Sequence, residues 1–287
     1  MTEPNQPLPS SWIINTTAET FDQDVMAKSH EMPVVVDFWA DWCAPCRMLA
    51  PVLESLAKEF DGQFVLVKAN TEEVPEAAGK FQVQGIPAVF GVIDGEIVHF
   101  FNGALPEDQL RRWLEELLAA NELASAKRLE EDAPQAAEAK YQSLIEKLPN
   151  DPAPKIGLAR VLLQLERWDD CQAVIDELEE RGFLEPEAEK LKARLGLGGK
   201  NDQDVASLRS RAANELEDFD AQLQLAQALA SSHEYEEALQ TCLTLVQRDR
   251  QGVGEAARQT MVDIFRVLPD DSELTSTYRR KLSMALY

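Results

Sequence analysis

The chain has 287 residues, of which 45% are hydrophobic and 28% charged, and it carries a formal net charge of -23. That length accommodates two domains with separate cores. No run of Lys and Arg interleaved with aromatics offers a track for a phosphate backbone, and no stretch approaches the ~20 apolar residues of a membrane-spanning helix, so neither nucleic acid nor membrane is expected as a partner.

Residues 1 to about 10 are polar and Pro-rich and predict a mobile lead-in. The opening MTEPNQPLPSSW lacks the basic start and apolar core of a signal peptide, which predicts a cytoplasmic protein whose four cysteines are kept mainly reduced. Trp12-Ile13-Ile14 reads as a short strand. Thr16 followed by Glu19 has the spacing of a capping box, predicting a helix to about Ser29. Val34 to Phe38 then reads as a buried strand that contains one carboxylate, Asp37.

That strand leads into Trp42-Cys43-Ala44-Pro45-Cys46. From Cys43 to about Phe60, Met48, Leu49, Val52, Leu53, Leu56 and Ala57 recur at helical spacing. Cys43 therefore falls at a helix N-terminus, where unpaired N–H groups favour an anion such as a thiolate. Pro45 fits the first turn and stiffens the two-residue spacer for ring closure. Cys43 is expected to be the exposed nucleophile with a lowered pKa, and Cys46 the partly buried resolving thiol. Asp37, among apolar neighbours, should have a raised pKa suited to proton exchange with Cys46. A zinc half-site is the competing reading of the cysteine pair, but Cys171, Cys242, His30, His99 and His233 form no second close pair, and no metal or cofactor is expected.

Further along, Phe64 to Val67 is another buried strand and about Val74 to Lys80 a short helix. Ala88 to Ile93, the turn Asp94-Gly95 and Glu96 to Phe101 form a hairpin. His99 on that hairpin reads as a surface histidine rather than a catalytic base. Pro106 to Leu118 closes a first domain, assigned to residues 1–118, as an amphipathic helix. The order β-α-β-α-β-α-β-β-α predicts an α/β fold with a mixed sheet covered on both faces.

These residues resemble the thioredoxin family, with Ala44 where many members have Gly. Pro51 falls where thioredoxins kink the active-site helix, Lys68 beside the position of the buried Asp, Gly85-Ile86-Pro87 where their cis-proline loop faces the cysteines, and Gly103 at a family glycine. The resemblance implies that Lys68 tunes Asp37 and that Pro87 is cis. It also implies that Trp42, Ala44, Pro45, Gly85 and Ile86 receive an extended substrate by strand addition.

Residues 119–287 carry helical patterns of about a dozen residues between short breakers, predicting an all-α domain. Leu158, Ala159, Leu162, Trp168, Cys171 and Ile175 align with Leu225, Ala226, Leu229, Tyr235, Ala238 and Cys242 at an offset of 67 residues, nearly twice the 34-residue tetratricopeptide period. Clear pairs are expected at 152–165 with 168–181 and at 219–231 with 234–248. A helix at about 121–131 paired with 134–148 precedes them. An irregular pair, 186–195 and 202–215, lies between them around Gly196-Leu197-Gly198-Gly199, and 254–267 with 271–286 follows. Cys171 and Cys242 read as small core residues rather than redox sensors. The segment 271–287 is basic and then apolar, through Tyr278, Arg279, Arg280, Leu282, Leu286 and Tyr287. It reads either as a cap packed on the preceding pair or as a docking helix.

The whole chain resembles the bacterial chaperedoxins, thioredoxin domains fused to tetratricopeptide repeats. The resemblance implies a holdase that binds unfolded or oxidised client proteins, protects their cysteines through mixed disulfides and delivers them to the GroEL chaperonin through the C-terminal helix. A thioredoxin reductase is a further candidate partner. The alternative is a general thiol-disulfide oxidoreductase whose repeats only select protein substrates. Intact Cys43 and Cys46 favour the redox reading, the repeats and tail the chaperone reading, and both activities in one protein are expected, with chaperone delivery as the organising role.

Overall fold

The computed structural model describes residues 12–198, 205–215 and 217–286. The lead-in expected over 1–10, Gly199 and Tyr287 lie outside them. The chain divides into two compact units between Ser125 and Ala126.

In the first unit, β1 (Ile13–Asn15), β2 (Val34–Trp39), β3 (Val65–Asn70), β4 (Ala88–Ile93) and β5 (Glu96–Asn102) form one sheet in the order β1-β3-β2-β4-β5. β1 and β2 run parallel to β3, and β4 runs antiparallel to β2 and β5. Alternation sorts the side chains onto two faces. Val34, Val36 and Phe38 join Val65, Val67, Ala88 and Phe90 beneath Phe21, Val25 and the helix α2 (Pro75–Lys80). Val35 joins Leu66, Val89 and Ile93 against α1 (Ala44–Glu59) and α3 (Glu107–Arg128). A mixed sheet with helices on both faces is the thioredoxin fold expected from the sequence.

The hairpin turn forms as its sequence demands. Asp94 (φ 52) and Gly95 (φ 80) both adopt the left-handed conformation of a two-residue I′ turn. Their amides donate to Ser29, Asp94 N–H to its carbonyl at 2.9 Å and Gly95 N–H to its hydroxyl at 2.8 Å.

Two local expectations fail. Thr16 and Glu19 build no capping box: Thr16 Oγ1 donates to Asp24 Oδ2 at 2.8 Å, and Glu19 accepts from Thr17 Oγ1. The helical segment starts later, as a π-helical stretch Asp22–Ala27 followed by a 3₁₀ turn Lys28–His30. Burial of Phe21 and Val25 against the sheet sets its start, so tertiary packing overrides the local cap signal. The break expected after Leu118 is also absent, and the two helices predicted at 106–118 and 121–131 are replaced by α3 alone. Ala119, Ala120 and Ala124 favour helix and no Gly or Pro interrupts them.

The second unit contains α4 (Pro134–Lys147), α5 (Pro152–Gln164), α6 (Trp168–Glu179), α7 (Pro186–Leu197), α8 (Val205–Asn214), α9 (Phe219–Ser231), α10 (Tyr235–Arg248), α11 (Gly254–Val267) and α12 (Glu273–Leu286). The two clear repeats share more than their apolar spacing. Ala159, Cys171, Ala226 and Ala238 are fully buried, and the Cys171 thiol donates to the Ala159 carbonyl at 3.4 Å across the α5–α6 seam. The turns also match. Glu166 (φ 58) and His233 (φ 64) take the left-handed conformation at equivalent positions. Arg167 N–H closes on the Leu162 carbonyl at 2.9 Å and Glu234 N–H on the Leu229 carbonyl at 2.8 Å, the six-to-one bond of a Schellman cap. The middle pair departs from this plan, since α7 packs mainly against α5, α6 and α11 whereas α8 packs against α9.

Gly157 in α5 lies against Tyr141 of α4. A Cβ there would lie 2.3 Å from the Tyr141 ring. That ring is fully buried and its hydroxyl donates to Glu130, so it has little room to yield. Gly→Ala inside a helix normally stabilises by about 1 kcal/mol. Here overpacking should win, and Gly157→Ala should destabilise the protein by about 1–3 kcal/mol in urea unfolding.

Candidate functional site

The site begins at the step from β2 into α1. The Cys43 N–H donates to the Ala40 carbonyl at 3.1 Å, folding the connection inward. Cys43 is the extended N-cap residue of α1, Pro45 stands in its first turn, and the Cys46 N–H donates to Cys43 Sγ at 3.2 Å. The sulfurs form a disulfide with the Cα atoms 5.3 Å apart. An exposed Cys43 beside a partly buried Cys46 was expected, but in this state Cys43 is 3% exposed and Cys46 2%. The inward turn and the bond to Cys46 take Cys43 off the surface. The surrounding surface is Trp42, 68% exposed, with Ala44 and Pro45. What separates the two sulfurs is the helix amide, which is aimed at Cys43 and would hold a thiolate there.

Asp37 and Lys68 are register partners on adjacent parallel strands. They share the strand parity of Val35 and Leu66, so both lie on the face that packs against α1. Asp37 is 1% exposed and its Oδ1 has no hydrogen-bond partner. Burial is the largest influence on its carboxyl, opposed by the charge of Lys68 and assisted by that of Glu54, and the pKa is raised to about 7. Lys68 does not bond to Asp37. Its Nζ donates to Glu54 Oε1 at 2.6 Å and lies 5.5 Å from the centre of the Trp39 ring.

The Ile86–Pro87 peptide is cis, and the Pro87 carbonyl accepts the Gly103 N–H at 2.8 Å. Gly85 is exposed and Ile86 half-exposed. Trp42 is held by its indole N–H, which donates to Glu72 Oε1 at 3.2 Å. Glu54 and Glu72 escaped the sequence reading, since an acid on a helix flank or just after a strand has no spacing that marks its partner. His99 stands against Trp113 and Glu116 of α3. Cys171 and Cys242 are buried, and burial pushes their thiols up to about 11 and about 12, far from a reactive thiolate at neutral pH.

The proposed docking face on α12 changes composition. Tyr278 and Leu282 belong to the core of the second unit, and Tyr278 donates to Gln240 Oε1 at 3.1 Å. Arg279, Arg280, Met284 and Leu286 remain exposed, Arg279 with its guanidinium 5.5 Å from the centre of the Phe265 ring. Among the described residues, no group of three or more His, Cys, Asp or Glu could hold a metal ion, and no helix is long and apolar enough to cross a membrane.

Residues 12–116 match the thioredoxin family model, and residues 128–195 and 199–287 match two tetratricopeptide repeat models. The chain is 45% identical over 95 residues to thioredoxin 1 of Chlorobaculum tepidum, a match covering 33% of this chain and 92% of that protein. It is 42% identical over 107 residues to thioredoxin C-2 of Corynebacterium nephridii, covering 37% and 97% respectively. With thioredoxin 1 of Synechococcus elongatus the identity is 41% over 102 residues, covering 36% and 94%.

The raised pKa of Asp37 has a stability consequence with a defined sign. Between 3.8, the ordinary aspartate value, and about 7 the folded state binds a proton that the unfolded state has lost, so this group's contribution declines as pH rises through that window. Asp37→Asn should therefore stabilise the protein at pH 8 by roughly 2–4 kcal/mol. The gain should vanish toward pH 4, as denaturant midpoints measured across pH would register.

Proposed function

The chain belongs to the thioredoxin family, and on that premise we propose that it is a cytoplasmic thiol-disulfide oxidoreductase that also acts as a co-chaperone. The observation that carries the redox part is the Cys43–Cys46 pair at the N-terminus of α1, with a helix amide on the Cys43 sulfur and a buried carboxyl, Asp37, on the adjoining strand. In the reduced protein the Cys43 thiolate attacks a client disulfide. One client sulfur leaves with the electron pair, and Cys43 is joined to the client as a mixed disulfide. Cys46 then gives its proton to Asp37 and attacks the Cys43 sulfur. The second client thiolate departs, leaving the client reduced by two electrons and Cys43–Cys46 oxidised. Trp42, Ala44 and Pro45 form the platform around the sulfurs, and the backbone at Gly85 and Ile86 pairs with an extended client segment. A reductase returns the disulfide to the dithiol.

The co-chaperone part rests on the tetratricopeptide repeats and on α12. Stacked helical hairpins suit protein partners, here unfolded or oxidised clients. The exposed Arg279, Arg280, Met284 and Leu286 suit docking to the GroEL chaperonin, with Tyr278 and Leu282 holding the helix in place from inside. A general oxidoreductase whose repeats only select substrates is the alternative, favoured by the completeness of the dithiol site.

Cys43→Ser should abolish reduction of insulin disulfides, and Cys46→Ser should accumulate mixed disulfides resolvable on non-reducing gels. Absence of any trapped client with Cys46→Ser would refute the redox mechanism. Because α12 supplies core residues, the chaperonin test uses surface changes rather than truncation. Met284→Glu with Leu286→Glu should eliminate co-elution with GroEL on a sizing column while leaving insulin reduction intact. If neither this variant nor the parent co-elutes, the delivery role fails and the oxidoreductase reading stands.

A further inference from the structure

We propose that Glu54 is a positioning residue for proton transfer, engaging the Lys68 ammonium in an ion pair and so keeping it from bonding directly to Asp37. This deepens the redox reading above and rests on it. The geometry is specific. Asp37 and Lys68 are register partners on adjacent parallel strands and lie on one face of the sheet, where opposite charges attract. Lys68 instead bonds to Glu54 Oε1 at 2.6 Å, and Asp37 Oδ1 is left buried without a partner. The pair is partly shielded, with the Lys68 side chain 18% exposed and that of Glu54 33%, so its field is not dispersed as a surface pair's would be.

The charged groups acting on Asp37 come from two elements. From β3 comes Lys68, which favours the carboxylate; from α1 comes Glu54, which disfavours it. On its other edge β4 supplies an apolar register partner, Val89. A direct Lys68–Asp37 bond would hold the carboxyl ionised and weaken it as a base. With Lys68 engaged elsewhere, Asp37 takes up a proton near neutral pH and returns it there, in the range where a proton shuttle is most effective. Glu54 thus acts mainly by engaging Lys68, beside the direct effect of its own charge.

The test is to follow the Asp37 carboxyl by carbon-detected NMR titration in the full-length protein, alongside the pH dependence of insulin reduction. Glu54→Gln should lower both the Asp37 midpoint and the acid limb of the rate profile by about one pH unit. Lys68→Met should raise them. In the Lys68→Met background the Glu54→Gln shift should shrink to less than half, and Glu54→Asp should restore the parent midpoint in part. A merely structural role for Glu54 would change the unfolding midpoint without moving this titration. An unmoved Asp37 midpoint in folded Glu54→Gln would overturn the proposal, as would an equal shift with and without Lys68. The NMR readout needs no catalysis: if the parent reduced no disulfide the redox reading would fail, whereas an unmoved titration with normal reduction would fail this inference alone.

Discussion

Strand β2 is paired on both edges and buried on both faces from Val34 to Phe38, so each of those side chains must be accommodated by the interior. Apolar residues meet that demand at Val34, Val35, Val36 and Phe38, each stabilising the fold by about 1.5–3 kcal/mol on burial. Asp37 does not meet it. A buried carboxyl without a full set of partners weakens the sheet at neutral pH, and the protein keeps it on the strand that leads into the disulfide. The same burial that destabilises the carboxylate raises its proton affinity toward neutrality, and the proposed proton exchange with Cys46 draws on that affinity.

The sulfur end of the site is governed by a different constraint. The first amides of α1 have no carbonyl of their own helix to bond, and the cysteine at the N-cap position supplies an acceptor for one of them. Cys43 and Cys46 are equally buried when joined, so solvent access does not distinguish them. Position on the helix does: one sulfur receives an amide and the other sits within the first turn, on the side of the buried Leu49 and Leu53.

Much of this was legible in the chain because the signals were local. Cys43, Pro45 and Cys46 declare a helix start, Asp94-Gly95 declares its turn, and Asp37 stands out as a charge in an apolar run. The helices of the second unit were readable from spacing and breakers, and the 67-residue offset from small residues at Ala159 and Ala226. The local signals failed in two places. Thr16 was drawn to Asp24 rather than to Glu19, and α3 ran on because nothing stopped it. At the C-terminal end, Tyr278 and Leu282 pack inward on the second core, as the cap reading has it for Leu282. Glu54 acquired its meaning only when α1 was laid across β3.

The matched turns at Glu166 and His233 bear on how such a chain is built. Two hairpins that close with the same backbone bond, and that meet along the same seam of small residues, are interchangeable building blocks. Lengthening or shortening this half by a whole hairpin preserves each internal seam and alters only the neighbours stacked on its outside, whereas inserting a few residues into one helix would rotate a seam out of register. Variation in the reach of the helical half is therefore open to the lineage by duplication, and largely closed to it by gradual drift in helix length.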